Sequence, residues 1–313
     1  MVAQSHKAPR ARWGWRLVAG VPAAWLLVFF VLPFLIVLRI SFLETDGAQL
    51  SSLFTRTEEG WAFTGQLQAY ALLLNDSLYL STYGRSLLYA AVTTAVCIAI
   101  GYPFAYFMAR ASSALQPLLL MGVMLPFWSS FLLRVYAWKG LLDAETGWIG
   151  HWLVASGGDK LLYWLGLIPA PGQLMYSPFS LVLGMTYTYL PFMVLPLYAT
   201  LSKMDLRLLE AAQDLGATAW QAFWRITVPL SRSGLMAGAM LVFIPCVGEY
   251  VIPELLGGPE TQMIGRVLWD EFFANNDWPV ASSVAVVMVM LIILPLALLN
   301  RSQDAAERKE RKA

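Results

Sequence analysis

The sequence is poor in the residues from which most catalytic and metal sites are built. It has only two cysteines and two histidines in 313 residues. Cys97 and Cys246 both lie in apolar runs, so they indicate no disulfide framework, and His6 and His151 alone indicate no metal cluster. A glycine-rich phosphate loop is also lacking. We therefore expect the chain to bind no cofactor and to hydrolyse no nucleotide itself.

Charged residues are scarce as well. They make up 13% of the chain against 58% hydrophobic residues, and the mean hydropathy is +0.59. This composition excludes an ordinary soluble domain and predicts an all-α membrane protein. Six apolar runs are each long enough to cross a hydrocarbon core of about 30 Å. We expect one transmembrane domain, residues 17–300, between tails 1–16 and 301–313, with six spans near residues 17–40, 86–109, 117–138, 178–201, 234–256 and 280–299.

The first apolar run has a basic flank like that of a signal peptide, but it is too long and lacks a clear small-residue cleavage site. We expect an uncleaved first span. Between the spans, we expect a polar, irregular segment at 41–85 and a surface or re-entrant helix within 139–177. Prolines inside the apolar runs predict a bend near Pro103 and interruptions of the fourth span at Pro191 and Pro196.

Basic residues are unevenly distributed, although the net charge is only +1. Lysines and arginines collect on the cytoplasmic side of membrane proteins. In the expected topology, 14 of the 21 basic residues share one side. We therefore expect both tails and the loop 202–231 to be cytoplasmic, the side that carries Lys7, Arg10, Arg12, Arg16, Arg110, Lys203, Arg207, Arg225, Arg232, Arg301, Arg308, Lys309, Arg311 and Lys312.

Residues 202–231, here called the docking loop, form the longest polar, helix-forming interruption in the second half of the chain. Asp205 can cap a first helix, and Gly216 is suited to end it in a left-handed conformation. Thr218 and Gln221 form a capping-box pattern for a second short helix, and Pro229 fits the first turn of a following helix. The first helix has one apolar face at helical spacing, formed by Leu208, Ala211, Ala212 and Leu215. Amphipathic helices lying on lipid headgroups are the alternative interpretation.

The letters of the docking loop resemble a known motif. The motif begins with Glu210-Ala211-Ala212, and Gly216 follows after three residues. After nine more residues come Ile226, one further residue and Val228-Pro229. This pattern resembles the EAA loop of the permease subunits of bacterial ABC importers. That family has Leu before the proline, where this chain has Val. The resemblance implies coupling helices that sit in a cleft of a cytosolic ATPase, with ATPase-coupling residues Glu210, Ala211, Ala212, Asp214 and Gly216.

The resemblance extends over residues 20 to 300, and its most specific segment is LVFIPCVGEYVIPELLGG (241–258). Within the ABC importers, the chain resembles the putrescine/spermidine permeases and is most similar to the first-type putrescine permease. This implies a type I permease in a bacterial inner membrane, working by alternating access. It also implies a heterodimer with a second permease, two copies of an ATPase that bind the ATP and Mg, and a periplasmic polyamine-binding protein.

Polyamines are flexible cations, so a path for them needs carboxylates and aromatic faces. Glu249 and Tyr250 follow Gly248 between two prolines, where a broken helix is expected, and an acid at membrane depth is a functional candidate. The alternatives for Glu249 are a pair with a base such as Arg134 or a cap on the broken helix. Weaker candidates for the substrate path, several of which fit an interfacial aromatic belt equally well, are Glu254, Trp128, Tyr136 and Trp138.

Other functions remain open at this point. An ABC importer for another small solute, such as sulfate or iron, shares the EAA loop. An ion-coupled secondary transporter would need inverted repeats and coupling groups near the midplane, yet no clear repeat is visible and only Glu249 qualifies. A membrane-embedded enzyme would need paired catalytic groups, which are not found. The sequence does not separate putrescine from spermidine.

Overall fold

The computed structural model describes residues 11–46, 49–57 and 60–293. The chain divides into two compact units. The first takes in the chain up to Asp76 together with the chain from Glu271 onward, and the second is Ser77–Asp270. The predicted tail 301–313, residues 1–10 of the predicted tail 1–16, and residues 294–299 of the predicted sixth span lie outside the described residues.

The first unit begins with a long apolar helix. Helix α1 (Ala11–Leu26), a π-helical turn (Leu27–Val31) and α2 (Leu32–Ile40) follow one another without a break, and Val18–Ile40 is apolar and long enough to cross a membrane. None of its most apolar stretch is buried by the rest of the chain. A π-helical turn at Asp270–Ala274 begins at the last residue of the second unit, and the first unit then contains the helix Trp278–Ile293, numbered α16 in chain order.

The segment 41–85 is more ordered than the sequence indicated. It forms two small antiparallel hairpins, β1 (Thr45–Asp46) with β2 (Gln49–Leu50) and β3 (Phe54–Thr57) with β4 (Gly60–Phe63), followed by α3 (Gln68–Asn75). Phe54 faces Phe63 across the second hairpin with the ring centroids 5.6 Å apart. Such cross-strand aromatic pairs stabilise a hairpin, so the expectation of an irregular segment was wrong.

The second unit contains the remaining helices. These are α4 (Ser77–Arg110), α5 (Leu115–Met124), a 3₁₀ turn (Leu125–Trp128), α6 (Phe131–Leu142), α7 (Trp148–Ala155), α8 (Gly158–Trp164) and α9 (Pro178–Leu201). The docking loop follows as α10 (Arg207–Asp214), α11 (Ala219–Ala222), a π turn (Phe223–Thr227) and α12 (Val228–Leu230). The unit then continues with α13 (Arg232–Val247), α14 (Val251–Leu256), a 3₁₀ turn (Pro259–Thr261) and α15 (Ile264–Trp269).

The core of the second unit lies where α4, α9 and α13 pack on one another. Met193 and Leu197 of α9 are fully buried there. Gly238 of α13 lets the backbones approach, since a Cβ at this position would lie 3.0 Å from the carbonyl oxygen of Met193. This close packing of helices through small residues is typical of membrane bundles.

The membrane helices agree with the predicted spans in part. The fourth predicted span, 178–201, coincides with α9, which is continuous, so the expected interruptions at Pro191 and Pro196 were wrong. The second predicted span, 86–109, is longer in the structure, because α4 begins at Ser77 and runs through Pro103 to Arg110. The third, 117–138, is divided: α5 with its 3₁₀ turn meets α6 at an angle of 93°.

Three described helices are long and apolar enough to cross a membrane, and two bent pairs of helices bring the number to five. Helix α16 is shorter and reaches the end of the described residues. The count of six spans stays a prediction.

Candidate functional site

The first half of the docking loop is a short helix stopped by glycine. The N-cap position of α10 is Leu206 and not Asp205 as predicted. The Asp205 carboxylate, one residue earlier, still accepts a hydrogen bond of 3.0 Å from the Arg207 amide. Gly216 has φ of +88°, as predicted. The Gly216 amide donates to the carbonyl of Gln213 (2.8 Å) and the Ala217 amide to that of Ala212 (3.0 Å). These two bonds form a Schellman motif, which requires the left-handed residue.

The second half begins with the predicted capping box. The Gln221 amide donates to the Thr218 hydroxyl (3.2 Å), and the Thr218 amide donates to the Gln221 side-chain oxygen (3.0 Å). Pro229 lies in α12, which continues the helical run Ala219–Leu230 without a break, so the expectation that it opens a following helix was wrong. The helix–glycine–helix order predicted from the sequence is confirmed.

The docking loop has one face against the bundle and one face uncovered. Phe223 packs edge-on against Tyr102 and Tyr106 of α4, with centroids 5.6 and 5.7 Å apart. The Tyr102 hydroxyl is 2.7 Å from that of Ser231. On the other face, Leu215 is 90% exposed. Of the expected ATPase-coupling residues, Glu210, Ala211, Asp214 and Gly216 are exposed and Ala212 is half-buried.

A second candidate site lies at the break in the fifth predicted span, 234–256. Helix α13 ends at Val247 and α14 starts at Val251, so the predicted break at Gly248–Tyr250 is confirmed. Glu249 lies in it and is 9% exposed. One carboxylate oxygen accepts from the amides of Val251 (3.1 Å) and Ile252 (3.4 Å), and the other accepts from the Tyr189 hydroxyl of α9.

Glu249 therefore caps the broken helix, which is one of the two structural alternatives left open by the sequence. A carboxylate is favoured there because the first amides of a helix are unpaired and carry partial positive charge. The other alternative, a pair with Arg134, is not what the structure contains. The Arg134 guanidinium donates to the Pro126 carbonyl and lies over the rings of Phe127 (5.6 Å) and Phe131 (5.9 Å).

The next two candidates are Tyr250, the last residue of the break, and Glu254 in α14. Tyr250 stacks on Trp269 with the ring centroids 4.5 Å apart. Glu254 forms an ion pair with Arg266, whose Nε is 2.8 Å from the carboxylate, and Asp270 lies 3.8 Å from the same nitrogen. A cavity of about 460 Å³ opens beside this ion pair. Its lining also includes Tyr176.

The aromatic candidates of the third predicted span are separated by the bend. Trp128 is 75% exposed at the end of the 3₁₀ turn, and Tyr136 is 54% exposed on α6. Trp138 packs edge-on against Tyr187 of α9, with the ring centroids 5.3 Å apart. The structure thus brings Glu249, Tyr250 and Glu254 to one broken helix.

Sequence reasoning did not single out Tyr189, Arg266 or Tyr176. Tyr189 is 60 residues from Glu249 in the chain, and nothing in the local pattern of either segment indicates this hydrogen bond. Arg266 could have been noticed as a base in an otherwise acidic loop. Tyr176 is signalled only by its backbone, which has φ of +56°, and such a value is not visible in a sequence.

Comparison with known proteins gives a consistent result. Residues 97–312 match the family model described as "Binding-protein-dependent transport system inner membrane component". The chain is 34% identical to the spermidine/putrescine transport system permease protein PotB of Haemophilus influenzae, over 94% of this chain and 96% of the relative. It is 35% identical to the spermidine/putrescine transport system permease protein PotB of Escherichia coli (strain K12), over 91% of this chain and 96% of that relative.

The fold is also found among solved structures. A chain in the crystal structure of a bacterial alginate ABC transporter, in complex with an alginate pentasaccharide-bound periplasmic protein, superimposes with a TM-score of 0.62. The two chains share 15% identity, and the match covers 93% of this chain and 94% of the other. At this identity the likeness concerns the fold alone.

Proposed function

Because the chain belongs to the family of binding-protein-dependent transport system inner membrane components, we propose that it is the permease subunit through which an ABC importer carries polyamines into the cell. The observation that supports this substrate is the identity of 34% and 35%, over more than 90% of the chain, to permeases named for spermidine and putrescine. We assign both amines to this importer. Substrate choice between them belongs mostly to the periplasmic binding protein.

The coupling step is assigned to the docking loop. Its exposed surface presents the carboxylates of Glu210 and Asp214 as well as the 90% exposed Leu215, while Phe223 fixes the loop to α4. An element that is anchored on one side and exposes apolar side chains elsewhere is suited to receive a partner's movement and pass it to the bundle. We place this loop and both termini in the cytoplasm, against two copies of an ATPase that hold the ATP and Mg.

The transport cycle is alternating access. Closure of the ATPase dimer on ATP pushes the docking loops of this chain and of a second, homologous permease. The spans then open toward the periplasm, where a loaded binding protein releases the amine. Glu249 is the carboxylate assigned to the path, because it is 9% exposed inside a membrane bundle and acids at membrane depth usually mark a substrate or ion path.

Uptake in cells that lack this chain is the direct test. Labelled putrescine and spermidine are supplied with and without re-expression of the chain, with ATP depletion and unlabelled amines as controls. Uptake that needs the intact chain and ATP supports the proposal. If uptake is unchanged while the chain is present in the membrane, the polyamine assignment fails and another small solute must be sought.

A substitution in the docking loop tests coupling in the same cells. Glu210→Lys reverses a charge on the uncovered face of α10, and we expect normal insertion with loss of ATP-dependent uptake. The control, Lys160→Glu, reverses an exposed charge on α8, outside the docking loop, and should leave uptake unchanged. Normal uptake by the Glu210→Lys variant would remove the coupling assignment.

A further inference from the structure

The cavity beside α14 contains the two kinds of group that bind an organic cation. Glu254 supplies a carboxylate and Tyr176 an aromatic face, and both line the same cavity of about 460 Å³. Small-molecule pockets occupy about 300–1,000 Å³. This space is much larger than a metal ion needs and suits a short, flexible amine.

Both groups are already in contact with cations of the protein itself. Nε of Arg266 lies 2.8 Å from the Glu254 carboxylate. The Lys139 ammonium lies over the Tyr176 ring, 5.6 Å from its centroid. A carboxylate and an aromatic face that each attract a tethered cation have the electrostatic character that a free diamine would require.

In the ion pair between Arg266 and Glu254, another cation can take the place of Arg266. Its side chain is 31% exposed and that of Glu254 is 39% exposed, so water reaches part of both side chains although Nε itself is buried. Nε has no hydrogen-bond partner despite its closeness to the carboxylate, which makes the contact an ion pair without good alignment. Exposed ion pairs of this kind contribute little, and a cation from solution can replace one partner.

Tyr176 is held in a strained conformation by its neighbours. A φ of +56° is unfavourable for a bulky residue. The residue is followed by Ser177, which is fully buried and caps α9. A Cβ on Gly258 would collide with the Tyr176 carbonyl oxygen, so this glycine lets the two backbones touch. Strain that the surroundings maintain is often found at ligand sites, and here it fixes the ring at the edge of the cavity.

We propose that this cavity binds an organic di- or polyamine, with one ammonium on Glu254 and another over Tyr176, and that Arg266 is a tethered competitor which the amine displaces. This inference rests on the proposed function for its choice of amine. It adds a binding site separate from Glu249 and a residue that sets the affinity of that site.

Equilibrium binding of labelled putrescine to the assembled transporter in lipid nanodiscs, without the binding protein, is the test. Arg266→Gln frees the Glu254 carboxylate, and we expect the Kd to fall about fivefold, the scale of one exposed ion pair. Arg266→Lys keeps a competing cation and should resemble the wild type. Adding Glu254→Gln to Arg266→Gln should remove the gain.

Two controls separate this site from a general charge effect. Lys160→Gln removes an exposed positive charge from α8, which does not line the cavity, and should leave the Kd unchanged. Butane-1,4-diol is a neutral probe of the same length as putrescine. It should compete with labelled putrescine no better in the Arg266→Gln variant than in the wild type. Tyr176→Leu should weaken amine binding several-fold, whereas Tyr176→Phe, which keeps the ring, should not.

The outcomes distinguish this inference from the proposed function. The first case is that cells import polyamines through the wild-type chain, but Arg266→Gln does not tighten putrescine binding, or tightens it equally when Glu254→Gln is also present. The cavity assignment is then overturned and the transport function stands. If the tightening requires Glu254 although cells import no polyamine, the amine site is supported and the proposed function fails.

Discussion

The docking loop and the break at Glu249 are both interruptions of helix at glycine, and they are stabilised in opposite ways. Gly216 is required by its own backbone, with φ of +88°, and the bonds around it join residues no more than five positions apart. Gly248 has φ of −93°, which any residue can adopt. Its surroundings are held by contacts across the fold, to Tyr189 and to Gly265.

This difference also separates two kinds of role. The docking loop keeps its shape by itself and leaves a face uncovered, as a surface for a partner must. The break at Glu249 buries a carboxylate whose hydrogen bonds need α9 and α14 in their present places. A change in the packing of the bundle therefore alters the surroundings of Glu249, whereas it leaves the internal bonds of the docking loop intact.

Gly216→Pro should have the largest effect. Proline fixes φ near −65° and has no amide proton, so it cannot adopt φ of +88° and cannot donate to Gln213. We expect ATP-dependent uptake to be lost while the chain remains in the membrane fraction, measured by transport and immunoblot. Gly216→Asn is the control, because asparagine tolerates the left-handed conformation. Wild-type uptake by the proline variant would show that the loop needs no fixed turn.

Glu249 variants separate its charge from its role as a cap. Glu249→Gln keeps an oxygen that accepts from Val251 and Ile252, and we expect near-normal thermal stability with reduced amine uptake. Glu249→Ala leaves those amides and Tyr189 unpaired, at a cost of about 1–3 kcal/mol, so both thermal stability and uptake should fall. If Glu249→Gln transports normally, the carboxylate is a cap alone.

Gly265→Ala tests whether the break depends on distant contacts. A Cβ at Gly265 would lie 2.5 Å from the Gly248 carbonyl oxygen and 2.6 Å from that of Glu249. Overpacking of this kind typically costs about 1–3 kcal/mol, and we expect a lower unfolding midpoint for the detergent-solubilised transporter. Gly122→Ala is the matched control, since nothing lies within 4 Å of a Cβ added at that position. Equal midpoints for the two variants would contradict the distant support of the break.

The features that could be predicted from the sequence are those determined within a few residues. The capping box at Thr218 and the turn at Gly216 follow from local backbone preferences. The prolines on either side of Gly248 indicated the broken helix, although contacts with distant residues hold it. The apolar run of α9 is likewise continuous in the sequence. Local preference failed at Pro191 and Pro196, because neighbouring helices in a bundle can satisfy the backbone groups that proline leaves unpaired.

The features that were missed depend on the arrangement of distant segments. Tyr189 meets Glu249, and Arg266 meets Glu254, only because α14 packs against α9 and turns back into α15. Composition indicated that Arg134 was a natural partner for a buried acid. Its guanidinium instead contacts Pro126 and two aromatic rings on the same bent pair of helices, and these partners satisfy the cation without a carboxylate.

Thr218→Ala should have the smallest effect and is the finest test of how independent the docking loop is. It removes one side of the capping box and costs about 1 kcal/mol in helix stability. An energy of about 1 kcal/mol corresponds to about fivefold. Because Phe223 still anchors the loop to Tyr102 and Tyr106, we expect uptake to fall by less than that factor, with Thr218→Ser behaving as the wild type. A loss as large as that of Gly216→Pro would mean that the cap, rather than the aromatic anchor, sets the position of the uncovered face.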